Sequence, residues 1–63
     1  MRRSFRKLLW ELDRAQIDVE WLYSSRFAPV ECRVVDSPEY VGWGDTNEDA
    51  LRDLLRQMQR RAA

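Results

Sequence analysis

The chain has no histidine, one cysteine, two glycines and two prolines among its 63 residues, and each scarcity removes a class of function. Acid–base catalysis near neutral pH usually calls on an imidazole. Paired carboxylates such as Asp18 and Glu20 could replace one only if a deep cleft raised a pKa, and a domain of this size has none, so they read as a solvated sheet face. Cys32 has no partner for an internal disulfide, and a zinc site without histidine would rest on one thiolate and carboxylates; no metal ion and no cofactor is expected. The Ser24-Ser25 pair lacks a Gly-x-Ser-x-Gly elbow, and no Walker-type lysine motif occurs. The sequence therefore reads as non-enzymatic. No apolar run reaches the roughly 20 residues that a bilayer-crossing helix needs, and the opening Met-Arg-Arg-Ser-Phe-Arg-Lys leads into no apolar stretch of signal-peptide type. A cytoplasmic protein without membrane contact is expected.

What is present is a globular composition, 44% hydrophobic and 35% charged, read as a single small domain over residues 1–63. That length is close to the limit at which one core offsets chain entropy. The formal charge is zero, with 11 basic and 11 acidic side chains, but it is unevenly spread. Arg2, Arg3, Arg6 and Lys7 make the start basic, and Arg52, Arg56, Arg60 and Arg61 outweigh Asp53 at the end, while the centre is acidic. The bases are almost all arginine, which suits bidentate and stacking contacts, although a GC-rich genome produces the same bias.

Two periods organise the chain. Phe5, Leu8, Leu9 and Leu12 recur at helical spacing and predict a helix over about residues 4–15 with Ser4 as N-cap. Trp10 breaks that stripe, pointing about 140° from Phe5 and about 160° from Leu12, onto the polar face with Arg6, Asp13 and Arg14. The period then becomes two: Ile17, Val19, Trp21 and Tyr23 alternate with Asp18, Glu20 and Leu22, predicting a strand over about 17–23. Residues 24–29 read as a loop. Val30, Cys32 and Val34 predict a second strand over about 30–35, and an Asp-Ser-Pro-Glu turn leads to a short third strand over about 40–44 with Val41 and Trp43. Antiparallel pairing of Trp21 with Cys32, and of Cys32 with Trp43, puts the apolar alternates on one face and sets Glu20 opposite Arg33 on the other. A second helix over about 46–61 starts at Asp45 or Thr46 with Glu48 and Asp49 in its first turn, and carries Ala50, Leu51, Leu54, Leu55 and Met58 as its stripe. The expected fold is α+β, in the order αβββα: a three-stranded antiparallel meander with two helices packed on one face. The expected core is Phe5, Leu8, Leu12, Trp21, Val34, Trp43, Leu51 and Leu54, with Cys32 buried as a small hydrophobe. Gly42 and Gly44 are expected opposite Trp43 on the open face, and the acids that follow them argue against an anion cradle at that helix start.

The element order resembles the double-stranded-RNA-binding domain. That resemblance implies the topology, and it implies RNA contacts from the start of the last helix, where this chain has Asn47, Glu48 and Asp49. The stretch "GWGDTNEDALRDLL" is similar to the strand-to-helix junction of HicB-type antitoxins, and this implies a small domain that binds a protein toxin.

Without catalytic groups, function is expected at the surface. An open sheet face carrying Asp18, Glu20, Leu22, Glu31, Arg33, Val35 and Tyr40 is one candidate, Trp10 with Arg6, Asp13 and Arg14 a second, and Arg26 and Phe27 of the loop a third; tryptophan, tyrosine and arginine are frequent interface anchors. The reading is a protein-binding module, such as a small regulator or inhibitor of phage or mobile-element type. Its partner is expected to be a protein, a second copy of the chain being one candidate, and the alternative is a nucleic-acid binder using the basic ends.

Overall fold

Two short polar side chains start the helices. Ser4 Oγ accepts the Lys7 N–H at 3.1 Å, and Thr46 Oγ1 accepts the Asp49 N–H at 3.1 Å, each satisfying a donor that the first helical turn leaves unpaired. In the computed structural model, which describes residues 3–62, the elements are α1 (Phe5–Arg14), β1 (Val19–Tyr23), β2 (Val30–Val34), β3 (Val41–Gly44) and α2 (Asn47–Ala62). Arg2, counted in the basic start, lies outside the described residues. The expected α+β order αβββα is present, with an antiparallel sheet in strand order β1-β2-β3.

The exit of α1 is tighter than the sequence indicates. Gln16 takes a left-handed φ of 58°, its N–H donates to Asp13 O at 3.0 Å, and the Ile17 N–H reaches back to Leu12 O at 2.9 Å. This is a Schellman ending with glutamine where glycine is usual. Ile17, expected in the first strand, therefore belongs to the helix stop, and the strand begins at Val19.

The β1–β2 register is as expected, Trp21 opposite Cys32 and Glu20 opposite Arg33. The β2–β3 register is not. Cys32 faces Gly42, and Trp43 faces Glu31, one residue away from the expected pairing, so every β3 side chain is on the opposite face. The cause is the seat of α2. A Cβ on Gly42 would collide with the main chain of Ala50 and Leu54, and one on Gly44 would lie 2.6 Å from Ala50 N. Neither contact is tolerable, so only glycine lets the helix lie directly on the strand. Ala50, with no exposed surface, continues this small-residue seam on the helix side.

The core on the helical face consists of Leu8, Leu12, Val30, Cys32, Val34, Ala50, Leu51 and Leu54, with Phe5, Leu9, Ile17, Val19, Trp21, Tyr40, Leu55 and Met58 packed around it. Trp43, expected in this core, is on the other side of the sheet, because Gly42 and Gly44 take the helical face beneath α2. The first helix is held by Leu8 and Leu12, by the edge of Phe5 against Trp21 at 6.2 Å, and by Arg52 of α2, which donates to Arg3 O at 2.6 Å. Burial of Leu51 and Leu54 alone supplies about 1.5–3 kcal/mol each.

Candidate functional site

The sheet has helices on one face only, and what the register brings to the uncovered face is ordered in two rows across the strands. One row is Leu22, Glu31 and Trp43; the next is Glu20, Arg33 and Val41. Glu31 occupies the centre, and at 9% exposure it is the buried charged residue among those described. One of its oxygens accepts the Trp43 indole N–H at 2.9 Å and the Ser25 hydroxyl at 3.0 Å. The other lies 3.4 Å from Arg33 Nη2. Arg33 also sits between Glu31 and Glu20, with Nε 3.4 Å from the Glu20 carboxylate but without hydrogen-bond geometry. A buried carboxylate with several donors is stable where an unpaired one would not be.

The loop between β1 and β2 folds over this centre. Ser24 has a φ of 63°, which turns the chain sharply, and Ser25 Oγ accepts the Phe27 N–H at 3.3 Å while donating to Glu31. Phe27 is thereby set edge-on against Trp43, with centroids 5.3 Å apart at 60°, a geometry favoured by aromatic quadrupoles. Trp43 is fixed at a third point, since its backbone N–H donates to Asp53 Oδ2 of α2 at 3.0 Å. The result is an aromatic pair held in place by hydrogen bonds, yet Phe27 remains 73% exposed and neighbouring Leu22 47%. Val35, 48% exposed, lies at the far end of the same face beside Asp18.

Other expected site residues are placed elsewhere. Tyr40, expected on the open face, pairs with Val34 through the Val34 N–H (3.1 Å) and so shares its helical face, half-buried with Arg61 5.2 Å above its ring. Trp10 is exposed as its helical phase requires, but Lys7 and Arg14 flank its ring at 4.8 and 5.0 Å, rather than Arg6 and Arg14. Arg6, Asp13 and Arg26 are exposed. Because Leu8 and Leu12 direct α1 toward the sheet, Trp10 points away from it, on the opposite side of the molecule from Phe27. Trp10→Ala should change stability by no more than about 1 kcal/mol, the loss of exposed cation–π contacts; a larger drop in the urea midpoint would place the indole in the core.

The sequence pointed to Leu22, Phe27 and Val35 but not to Trp43, whose signal was the glycine on each side of it. Two glycines spaced by one residue before a helix with alanine at its fourth position, Ala50, mark a strand on which that helix rests, which turns the intervening residue outward. Cys32 is fully buried, and burial raises its thiol pKa to about 12, so no thiolate nucleophile forms there near neutral pH. Among the described residues no group of three or more cysteine, aspartate or glutamate side chains is placed to hold a metal ion, and no helix is long and apolar enough to cross a membrane. Comparison with family models, curated proteins and solved structures finds no match.

Proposed function

We propose that the chain is a non-enzymatic protein-binding module, a small regulator or inhibitor of the kind found in phages and mobile elements, and that it engages its partner through the uncovered sheet face. The observation that carries this reading is the Phe27–Trp43 pair, anchored by Glu31, Ser25 and Asp53 yet open to solvent. Folding gains little from leaving Phe27 so exposed, whereas rigid aromatics bind with little loss of side-chain entropy and often dominate interface energy. Leu22 extends the apolar surface, and the Glu20–Arg33 pair forms a polar rim. Nucleic-acid binding is the competing reading. Against it stand three carboxylates (Asp18, Glu20 and Glu31) facing one guanidinium (Arg33) on this side, and Glu48 and Asp49 at the start of α2, all repelling phosphate.

The test begins with a partner captured from host lysate on the immobilised chain and then titrated by calorimetry. Phe27→Ala should weaken its binding about tenfold or more while leaving the fold intact, and Trp10→Ala should bind as the unaltered chain does. Equal affinity for Phe27→Ala would remove the sheet face from the interface. In a gel-shift titration, salt-sensitive binding to RNA near 0.15 M salt would favour the competing reading.

A further inference from the structure

The two edges of the sheet differ in a way that the proposed face does not explain. The Val34 N–H bonds to Tyr40 O, and the Val35 N–H to Asp18 O, so alternate residues of β2 serve its two neighbours. Along β3 this turns the backbone of Val41 and Trp43 outward, and there α2 guards the edge: Asp53 takes the Trp43 N–H and presents a carboxylate to any approaching strand. Along β1 it turns the backbone of Val19, Trp21 and Tyr23 outward, and among the described residues no side chain or backbone group caps them. Exposed edges are commonly blunted by charge, proline or a covering element. Here one edge is blunted and the other is left free.

We propose that the free β1 edge pairs antiparallel with β1 of a second copy, about a two-fold axis at Trp21, forming one continuous sheet through both chains. The register follows from the strand itself. Outward-facing backbone groups must meet outward-facing ones, which leaves three symmetric choices. Centring on Glu20 opposes two like charges, and centring on Leu22 leaves only Trp21 and Tyr23 in register before the turn at Ser24. Centring on Trp21 uses all of Val19–Tyr23: Trp21 meets Trp21, Val19 meets Tyr23, and Glu20 meets Leu22. Aromatic–aromatic and aromatic–β-branched pairs are favourable cross-strand neighbours, and no like charges face each other. Tyr23, 57% exposed, gains the cover that the isolated chain does not provide. Such a two-fold leaves both open faces on one side, so the Phe27–Trp43 pairs stay uncovered, and this inference stands independently of the protein-binding reading.

Sedimentation equilibrium of the full chain, together with amide exchange read at several concentrations, tests the assembly. The expected mass rises from 7.6 kDa toward twice that value, with the Val19, Trp21 and Tyr23 amides becoming slower to exchange as it does. Tyr23→Pro removes an N–H that bonds to none of the described residues, so it should keep the fold and weaken association about fiftyfold or more. Two charge variants test the register, each compared at equal folded fraction because position 22 also faces Glu31 within the chain: Leu22→Glu opposes Glu20 of the second copy and should weaken association about fivefold, whereas Leu22→Lys complements it and should hold or strengthen it. A chain that stays at 7.6 kDa up to millimolar concentration overturns the proposal. So does a dimer in which the three amides remain unprotected, or one weakened equally by lysine and glutamate at position 22, since either places the contact away from this edge.

Discussion

Gly42→Ala should lower the stability of the domain by about 3 kcal/mol or more, a large share of the roughly 3–5 kcal/mol that one core of this size supplies. The added methyl meets Ala50 O, Leu54 N and Leu54 Cα of α2. These are main-chain atoms, so no rotamer change relieves the contact, and the helix must lift from β3. Lifting it separates Ala50, Leu51 and Leu54, all without exposed surface, from the strands beneath them, and close-packed interiors lose dispersion contacts steeply with such a gap. The obstacle is backbone, so Ala50→Gly should not rescue the variant. Urea denaturation followed by far-UV circular dichroism reads both. A midpoint for Gly42→Ala within about 0.5 kcal/mol of the unaltered chain would mean that α2 does not rest on this strand.

The same glycine explains what the sequence disclosed and what it hid. Both helices were legible because their stripes and caps agree, and in α2 the acid–base polarity agrees as well: Ser4 and Thr46 cap as their spacing requires, Leu8, Leu12, Leu51 and Leu54 are buried as their period requires, and Glu48 and Asp49 open α2 while Arg60 and Arg61 close it. The first strand pair was legible because both faces of it are informative, apolar at Trp21 and Cys32 and oppositely charged at Glu20 and Arg33. On β3 the rule that large apolar residues face the core chose the wrong side. That rule counts side chains and ignores how near the covering helix comes; where a helix touches the backbone of a strand, the smallest residues face it. Trp43 could not have been buried beneath α2 without moving the helix outward. On the open side its indole finds an acceptor in Glu31, which a wholly apolar core would not offer.

The candidate site was legible for a different reason and to a smaller extent. Leu22 and Val35 could be assigned because they occupy the alternate positions of strands whose other alternates are apolar. Phe27 was visible only as an aromatic in a loop. Its contact with Trp43 depends on the left-handed Ser24, on Ser25 bridging to Glu31, and on the β2–β3 register; these couple residues distant in sequence and have no local period. Tyr40 was misplaced because the turn at residues 36–39 brings it back opposite Val34 instead of continuing the open-face row.

Glu31→Ala should cost about 2–4 kcal/mol, although it deletes a charge from a sheet face without helical cover. The substitution leaves the Trp43 indole N–H and the Ser25 hydroxyl without their acceptor, and Arg33 with only the long contact to Glu20. A buried donor left unpaired costs about 1–3 kcal/mol, and bonds to a charged group are the stronger ones. Glu31→Gln separates the contributions. Its amide oxygen can still accept from the indole and the hydroxyl, while the attraction to Arg33 is lost, so about 1 kcal/mol is expected for a pair that is partly solvated. The Trp43 indole N–H resonance should therefore stay near its position in the glutamine variant and move toward the solvent-exposed value in the alanine variant, in step with the chemical denaturation midpoints. The binding reading is exposed to the same measurement. If Glu31→Ala leaves both the midpoint and that resonance unchanged, Glu31 does not hold Trp43. The Phe27–Trp43 pair then loses the rigidity that distinguishes it from any exposed aromatic contact, and Trp10, on the opposite side of the molecule, becomes the better anchor for a partner.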